Sequence, residues 1–185
     1  SVVTTAGWAQ AEGSGYAPTG RLRASSGGDV ALAAAVRLAR IGLLCNDAQL
    51  GAGKDGGWRI DGDPMEGALL ALAGKAGLQA AALRSAHPRL DEVPFDATYR
   101  FMATLHADSE NGGALVCVKG APEKLLALCT QQAGRDGSAE PLDATPWQRA
   151  IDAAGAEGQR VLGFASRRLA HVPERFELGD VGGLV

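Results

Sequence analysis

The chain has 185 residues, of which 46% are hydrophobic, and it carries 18 lysines and arginines against 21 aspartates and glutamates. This length supports one domain with a substantial core rather than two domains. The net charge of −3 argues against DNA or RNA as a partner, because nucleic-acid binding needs a basic surface. A nucleotide is not excluded, since a few local cations can hold it.

Neither a membrane span nor a secretory signal is visible in the sequence. The longest apolar-rich stretch, 30–45, contains Arg37 and Arg40 and is too short to cross a bilayer. The three cysteines have no metal-like spacing, which predicts buried, reduced thiols in a cytosolic protein. We therefore expect that this chain does not itself contact a membrane.

The first part of the chain alternates short strands with helices. In chain order the pattern predicts strands around a turn at 2–24, a helix at 29–44 and a glycine-rich loop at 46–57. A short strand at 58–60 and two helices at 64–76 and 79–85 follow. Asp29 is expected to cap the first of these helices. Asp63 and Pro64 are expected to open the second as its cap and first-turn proline.

The second part is richer in strands. Its pattern predicts three strands at 90–95, 100–107 and 114–119, a helix at 122–129 and a polar loop at 131–143. A helix at 145–157, a final strand at 160–168 and an irregular tail at 170–185 follow. Asn111-Gly112-Gly113 is a strong tight-turn signal, so the sheet is expected to be antiparallel there. Strands joined by a hairpin and interspersed with helices indicate an α+β fold.

The residues alone carry little recognisable chemistry. The usual glycine-rich phosphate-binding motifs are missing. The three histidines, His87, His106 and His171, lack metal-ligand spacing, and neither Ser85 nor Ser166 has the context of a nucleophile. Composition and spacing alone therefore predict only an α+β domain without an assigned activity.

Four short segments carry the argument further. They are Gly62–Leu69, Pro94–Met102, Lys119–Glu123 and Gly158–Ala165. In this order they resemble the nucleotide-binding (N) domain of P-type cation-transporting ATPases, in the branch related to calcium and sodium pumps. Two further segments, Gly13–Gly20 and Leu44–Ala48, resemble a turn and a helix end of the same family. The resemblance covers residues 13–169 and implies a twisted, largely antiparallel sheet flanked by helices.

The resemblance assigns roles around an adenine ring. Phe95 would stack on the ring, because an aromatic face offers contact area at little ordering cost. Lys119 and Gly120 would line the pocket, and Met102 would pack beside it. Glu66 would accept a hydrogen bond from the adenine amino group. The resemblance thus implies that Phe95, Lys119 and Glu66 converge on one purine.

The resemblance also places two cations near the phosphates. Arg160 would reach toward them, and Arg100, where the family often has lysine, would lie near the triphosphate or the ring edge. Two positions depart from the family pattern. Met65 replaces a threonine, and Ala97 replaces a serine or arginine, so that each loses a polar contact.

Each of these residues also has an ordinary structural interpretation. Phe95 at a strand end is more often a core residue, and Lys119 there is more often a solvated charge. Glu66 stands where a capping box places its acid. Arg160 could be a surface arginine without a ligand.

The family's phosphorylated aspartate motif, Asp-Lys-Thr-Gly-Thr, is absent from the chain. We therefore interpret residues 1–185 as a single nucleotide-binding domain excised from a larger pump, a cytoplasmic domain of an integral plasma- or inner-membrane protein. It is expected to bind ATP, with Mg²⁺ carried by the nucleotide and no protein metal site, but not to hydrolyse it. Its partners would be the phosphorylation and actuator domains of the same parent chain. The alternatives are a free-standing interaction domain that has lost the ligand and a self-contained hydrolase.

Overall fold

The structure is a computed structural model and describes residues 1–53, 56–109 and 111–185. These residues form two compact units, Ser1–Ser85 and Ala86–Val185. Helices and antiparallel sheets occur in both, which confirms the predicted α+β fold.

The first unit contains a three-stranded sheet, a two-stranded ladder and helices. Its elements are β1 (Val2–Thr4), β2 (Gly7–Ala11), β3 (Leu22–Ala24), α1 (Gly28–Leu44), β4 (Gln49–Ala52), β5 (Trp58–Asp61), α2 (Pro64–Lys75) and α3 (Ala80–Ala86), the last ending at the unit boundary. Strands β1, β2 and β3 are antiparallel in that order. The predicted turn at 13–20 connects β2 to β3.

Helix α1 covers the three-stranded sheet with a face made largely of alanine. Ala35 is fully buried in a cluster with Val2, Ala9 and Leu22 from the three strands. Small side chains let the helix lie close to the sheet, and their burial is the main stabilising contribution here.

Helix α2 begins as its sequence predicts. The Asp63 carboxylate accepts hydrogen bonds from the backbone N–H groups of Met65 and Glu66, and Pro64 occupies the first turn. At Gly67 the helix meets β5 so closely that an added Cβ would lie 1.9 Å from Cδ1 of Ile60. The helix therefore needs glycine at this position to pack on the strand.

The second unit is built on a four-stranded antiparallel sheet. Its elements are β6 (Arg89–Asp96), β7 (Phe101–Ala107), β8 (Ala114–Gly120), α4 (Pro122–Leu128), β9 (Gln131–Ala133), β10 (Ala139–Pro141), α5 (Ala144–Ala156), β11 (Gly163–Leu169) and a 3₁₀ turn (Leu178–Asp180). The strand order is β11-β8-β7-β6. The predicted turn at 111–113 joins β7 to β8, with positive φ at Gly112 and Gly113.

One face of this sheet forms the apolar core of the unit. The alternate residues Phe101, Ala103 and Leu105 of β7 lie there with Val116 and Val118 of β8. Because side chains alternate across a strand, the residues between them share the opposite face.

The C-terminal tail is more ordered than predicted. Leu184 is fully buried, and the backbones of Val185 and Ser166 exchange two hydrogen bonds of 2.9 Å. The Arg167 guanidinium donates to the carbonyl groups of Asp180 and Gly182. These contacts hold the tail along β11 at the edge of the sheet.

Several predicted boundaries were wrong. The predicted loop 46–57 contains strand β4, which pairs with β5, the strand predicted at 58–60; the predicted loop 131–143 contains both strands of the ladder β9–β10. Polar and glycine-rich segments form these strands through backbone pairing, and residues 54 and 55 of the first loop lie outside the described part. Helix α1 is capped by Gly27 rather than Asp29, and α5 begins at Ala144, with Asp143 as its cap, rather than at residue 145. The final strand begins at Gly163, not Arg160.

No helix in residues 1–53, 56–109 and 111–185 has the length and apolar character needed to cross a membrane. Two of the three cysteines, Cys45 and Cys117, are buried thiols, as predicted. Cys129 is only partly buried, and its burial raises the pKa of the thiol to about 11.

Candidate nucleotide site

Four side chains lie in one row across the sheet of the second unit. Met102 of β7 pairs with Lys119 of β8, and Lys119 pairs with Phe164 of β11. On the other side of Met102, the register of β6 against β7 shifts between Val93 and Asp96. Residues 94 and 95 therefore oppose Met102 together, which places Phe95 in the same row.

This row lies on the face opposite the apolar core, since the neighbouring residues Phe101 and Val118 belong to that core. Phe95 is 62% exposed, so it is not a core residue. Lys119 is 4% exposed and Met102 2%, so the lysine is not a solvated strand-end charge. The row thus combines an exposed aromatic ring with a buried thioether and a buried ammonium group.

The turn that follows Phe95 at the end of β6 is held by side chains of its own residues. The Asp96 carboxylate accepts a 2.7 Å hydrogen bond from the Thr98 backbone N–H. The Tyr99 hydroxyl donates to the Pro94 carbonyl at 2.7 Å, and the Tyr99 ring packs on Phe101 with centroids 4.8 Å apart. These contacts fix the backbone on both sides of Phe95 without covering its ring.

The Thr98 N–H also governs the charge of Asp96. This hydrogen bond lowers the pKa of the Asp96 carboxyl below its ordinary value of 3.8. The carboxylate is therefore ionised at neutral pH and remains an acceptor for the loop.

Gly120 ends β8 at a crowded position. A Cβ there would lie 2.5 Å from Cβ of Phe101 and 2.6 Å from the carbonyl oxygen of Arg100. Gly120 also pairs with Gly163 of β11. The glycine therefore has a packing reason to be present, because the backbone of Phe101 and Arg100 fills the space that a side chain would need.

Arg100 closes the loop between β6 and β7. Among the described residues it is the non-glycine with a positive φ, 58°. Its guanidinium lies 2.8 Å from the Glu123 carboxylate in the first turn of α4, and both side chains are about half exposed. Arg160 is exposed in the segment between α5 and β11, three residues before Gly163. The structure thus brings Phe95, Met102, Lys119 and Gly120 together, with Arg100 at the same end of the sheet.

Glu66 belongs to the first unit and lies in the first turn of α2. Its carboxylate oxygen Oε2 accepts hydrogen bonds of 3.0 Å from the N–H groups of Asp47 and Ala48. The neighbouring Asn46 side chain donates to the Gly42 and Glu66 carbonyls. The acid therefore fixes the turn after α1. Its predicted contact with adenine stays a prediction.

The sequence prediction did not single out Phe164, although it lies within a quoted segment. A phenylalanine in an apolar strand gives no signal of its own, and only the register of β11 against β8 places it beside Lys119. In the part of the chain that the structure describes, no group of histidine, cysteine and acidic residues could hold a metal ion.

Comparison with known proteins decides the family. Residues 34–181 match the family described as the cytoplasmic domain N of P-type ATPases. The chain belongs to this family. The match spans the row, its supporting loop and the turn fixed by Glu66.

Relatives of this N domain are named as cation pumps. The chain is 40% identical to cation-transporting ATPase pma1 of Synechocystis sp. over 76% of its length and 15% of the relative. It is 36% identical to a probable cation-transporting ATPase F of Mycobacterium tuberculosis over 99% of its length and 20% of the relative. The sodium/potassium-transporting ATPase alpha subunit of Tetronarce californica is 32% identical over 72% of the chain and 14% of the relative. The chain thus spans about a fifth or less of these relatives.

Proposed function

We propose that residues 1–185 form one ATP-binding domain of a cation-transporting P-type ATPase. The domain holds the adenine end of ATP and presents the γ-phosphate to an aspartate on a separate phosphorylation domain of the same parent chain. Transfer to that carboxylate gives an aspartyl-phosphate, and the N domain contributes by positioning. We place the parent in a plasma or inner membrane, with this domain on the cytoplasmic side.

The observation that carries the proposal is the exposed Phe95 ring in one row with Lys119. A phenylalanine that is 62% exposed gains little from folding, yet the Asp96 and Tyr99 hydrogen bonds fix the loop around it. Such a ring offers a stacking surface for a purine. Lys119 adds donors and positive charge on the same face.

The remaining contacts follow from the family pattern. Gly120 lets the ligand approach the backbone at the end of β8, and Met102 packs below it. Arg100 and Arg160 are proposed to meet the phosphates. Glu66 is proposed to accept from the adenine amino group. Mg²⁺ would arrive with the phosphates and be held by them rather than by this domain.

An ATP titration followed by amide NMR tests the proposal. We expect a dissociation constant on the order of 0.1–1 mM, because part of the complete site lies in other domains. The shifts should centre on the amides of Phe95, Lys119 and Gly120. A domain that only binds other proteins would give no ATP response, and shifts absent from these three amides would refute the assignment.

Variants at Phe95 sharpen the test. Phe95→Ala should weaken ATP binding about 5- to 150-fold, since stacking on a base is worth about 1–3 kcal/mol. Phe95→Trp keeps an aromatic face and should retain most of the affinity. Leu90→Ala is the matched control, because Leu90 is an exposed apolar residue at the other end of β6. Equal losses for Phe95→Ala and Leu90→Ala would exclude a specific stacking site.

A second variant tests the ammonium group. Lys119→Met keeps an unbranched stem for packing but removes the charge, and it should weaken ATP binding. Because Lys119 is buried, urea denaturation of the variant must show that the domain still folds.

A further inference from the structure

An ion pair joins two segments at the end of the candidate site. Nη2 of Arg100 lies 2.8 Å from Oε1 of Glu123, with 48% and 47% of the two side chains exposed. Arg100 ends the turn that follows Phe95, and Glu123 lies in the first turn of α4, directly after β8. The pair therefore connects the aromatic end of the row to the segment that contains Lys119 and Gly120.

Backbone contacts hold both partners in place. The Arg100 N–H donates to the Asp96 carbonyl at 2.7 Å, and the Arg100 carbonyl accepts from the Ala121 N–H at 2.9 Å. The Lys124 N–H donates in turn to the Ala121 carbonyl. These hydrogen bonds fix the backbone at Arg100 and just before Glu123. The two side chains therefore meet across backbone segments that are already held in place.

We propose that Glu123 is a specificity-determining residue that occupies the Arg100 guanidinium until a polyphosphate replaces it. This inference rests on the proposed function, in which Arg100 meets the phosphates of ATP. The carboxylate and a phosphate use the same planar array of guanidinium donors, so they compete for it. A ligand without phosphates does not enter this competition.

The negative charge of Glu123 also lowers the affinity for the phosphates. A carboxylate next to the bound phosphates repels them, and the repulsion grows with the charge of the ligand. The ion pair is half exposed, and pairs of this kind contribute little, so ATP can displace the carboxylate. Glu123 thus lowers the affinity for the charged end of the ligand while leaving adenine recognition to Phe95 and Lys119.

Binding of ATP and of adenosine to the 185-residue chain tests this inference at low ionic strength. Glu123→Gln keeps the shape of the side chain and removes its charge. It should tighten ATP binding about two- to fivefold, the range expected for an exposed ion pair. The adenosine constant should stay the same, so the preference for ATP over adenosine rises by that factor. A thermal melt of the variant confirms that α4 still forms.

A double-mutant cycle separates the competition for Arg100 from a general electrostatic effect of the Glu123 charge on the bound phosphates. In an Arg100→Gln background, Glu123→Gln should tighten ATP binding clearly less than it does in the original chain. Glu174→Gln makes the same charge change in an exposed residue beyond the far end of β11 and should leave both constants unchanged. Equal gains with and without Arg100 would overturn the proposed competition.

The result also distinguishes the two proposals. If the unmodified chain binds neither ATP nor adenosine, the proposed function fails and this inference falls with it. If it binds both, and Glu123→Gln leaves their ratio unchanged or weakens ATP, only the role of Glu123 is refuted. In that case Glu123 would simply hold Arg100 in place.

Discussion

Two short turns in this N domain use their polar side chains differently. At the start of α2, the carboxylates of Asp63 and Glu66 both accept hydrogen bonds from backbone N–H groups. In the loop after β6, Asp96 and Tyr99 do this work, and the Phe95 ring remains 62% exposed. One family motif therefore stabilises its own unit, whereas the other presents a side chain that its neighbours hold ready for a ligand.

This difference predicts which mutations should affect stability and which should affect ligand binding. A residue whose polar atoms are used by the backbone should affect stability first and binding second. A residue that makes few contacts in the folded chain should affect binding alone. Glu66 and Phe95 are the two extremes, and Tyr99 and Asp96 lie between them.

The largest effect on stability is expected at Glu66. Glu66→Ala removes the carboxylate acceptor of the Asp47 and Ala48 N–H groups, of which Ala48 keeps the Asn46 side-chain oxygen, and should lower the free energy of unfolding by about 1–3 kcal/mol. Glu66→Gln keeps an acceptor oxygen and should cost about 1 kcal/mol. Urea denaturation measures both, with Phe95→Ala as the contrasting variant at about 0.5 kcal/mol or less.

The opposite result would break the comparison. If Glu66→Ala abolishes ATP binding without loss of stability, its carboxylate serves the ligand rather than the turn. Hydrogen exchange at the Asp47 and Ala48 amides gives a local check, because both should exchange faster in the variant.

A smaller effect is expected at Tyr99. Tyr99→Phe keeps the ring packed on Phe101 but removes the donor to the Pro94 carbonyl. The free energy of unfolding should fall by about 0.5–1.5 kcal/mol. ATP binding should weaken less than in Phe95→Ala, since the stacking ring is still present but its loop is less firmly held.

Measuring ATP and adenosine together shows whether Tyr99 acts through Phe95. Both ligands carry the purine, so both should lose affinity by the same factor. A loss confined to ATP would instead place the effect at the phosphates and contradict a role in orienting Phe95.

The sequence predicted those parts of the fold that local chemistry determines. Asp63 and Pro64 specify the start of α2, and Asn111-Gly112-Gly113 specifies the hairpin between β7 and β8. Strand β5 was predicted, but its partner β4 and the ladder β9–β10 were missed because polar and glycine-rich strands lack the alternation that marks a strand. Ordering of the tail depends on the Arg167 guanidinium of β11 donating to tail carbonyl groups and on hydrogen bonds between Leu184 and the segment 128–131, which no local pattern reveals.

The candidate site divides in the same way. Phe95, Lys119 and Gly120 could be named from short motifs because the family pattern is local. Their arrangement in one row depends on the shifted register of β6 and on the pairing of β11 with β8. The position of Phe164 beside Lys119 and the ion pair between Arg100 and Glu123 could therefore not be predicted, since neither follows from spacing along the chain.

The smallest effect is expected from the protonation of Asp96. The Thr98 N–H lowers the pKa of this carboxyl below 3.8, so the folded loop favours the ionised form. Its stabilising contribution is complete above the unfolded value and is lost as the pH falls below about 4 through the lower folded pKa. The Thr98 amide resonance should follow this titration, and Asp96→Asn should remove the step. A titration that persists at the Thr98 amide in Asp96→Asn would show that another acid controls the loop.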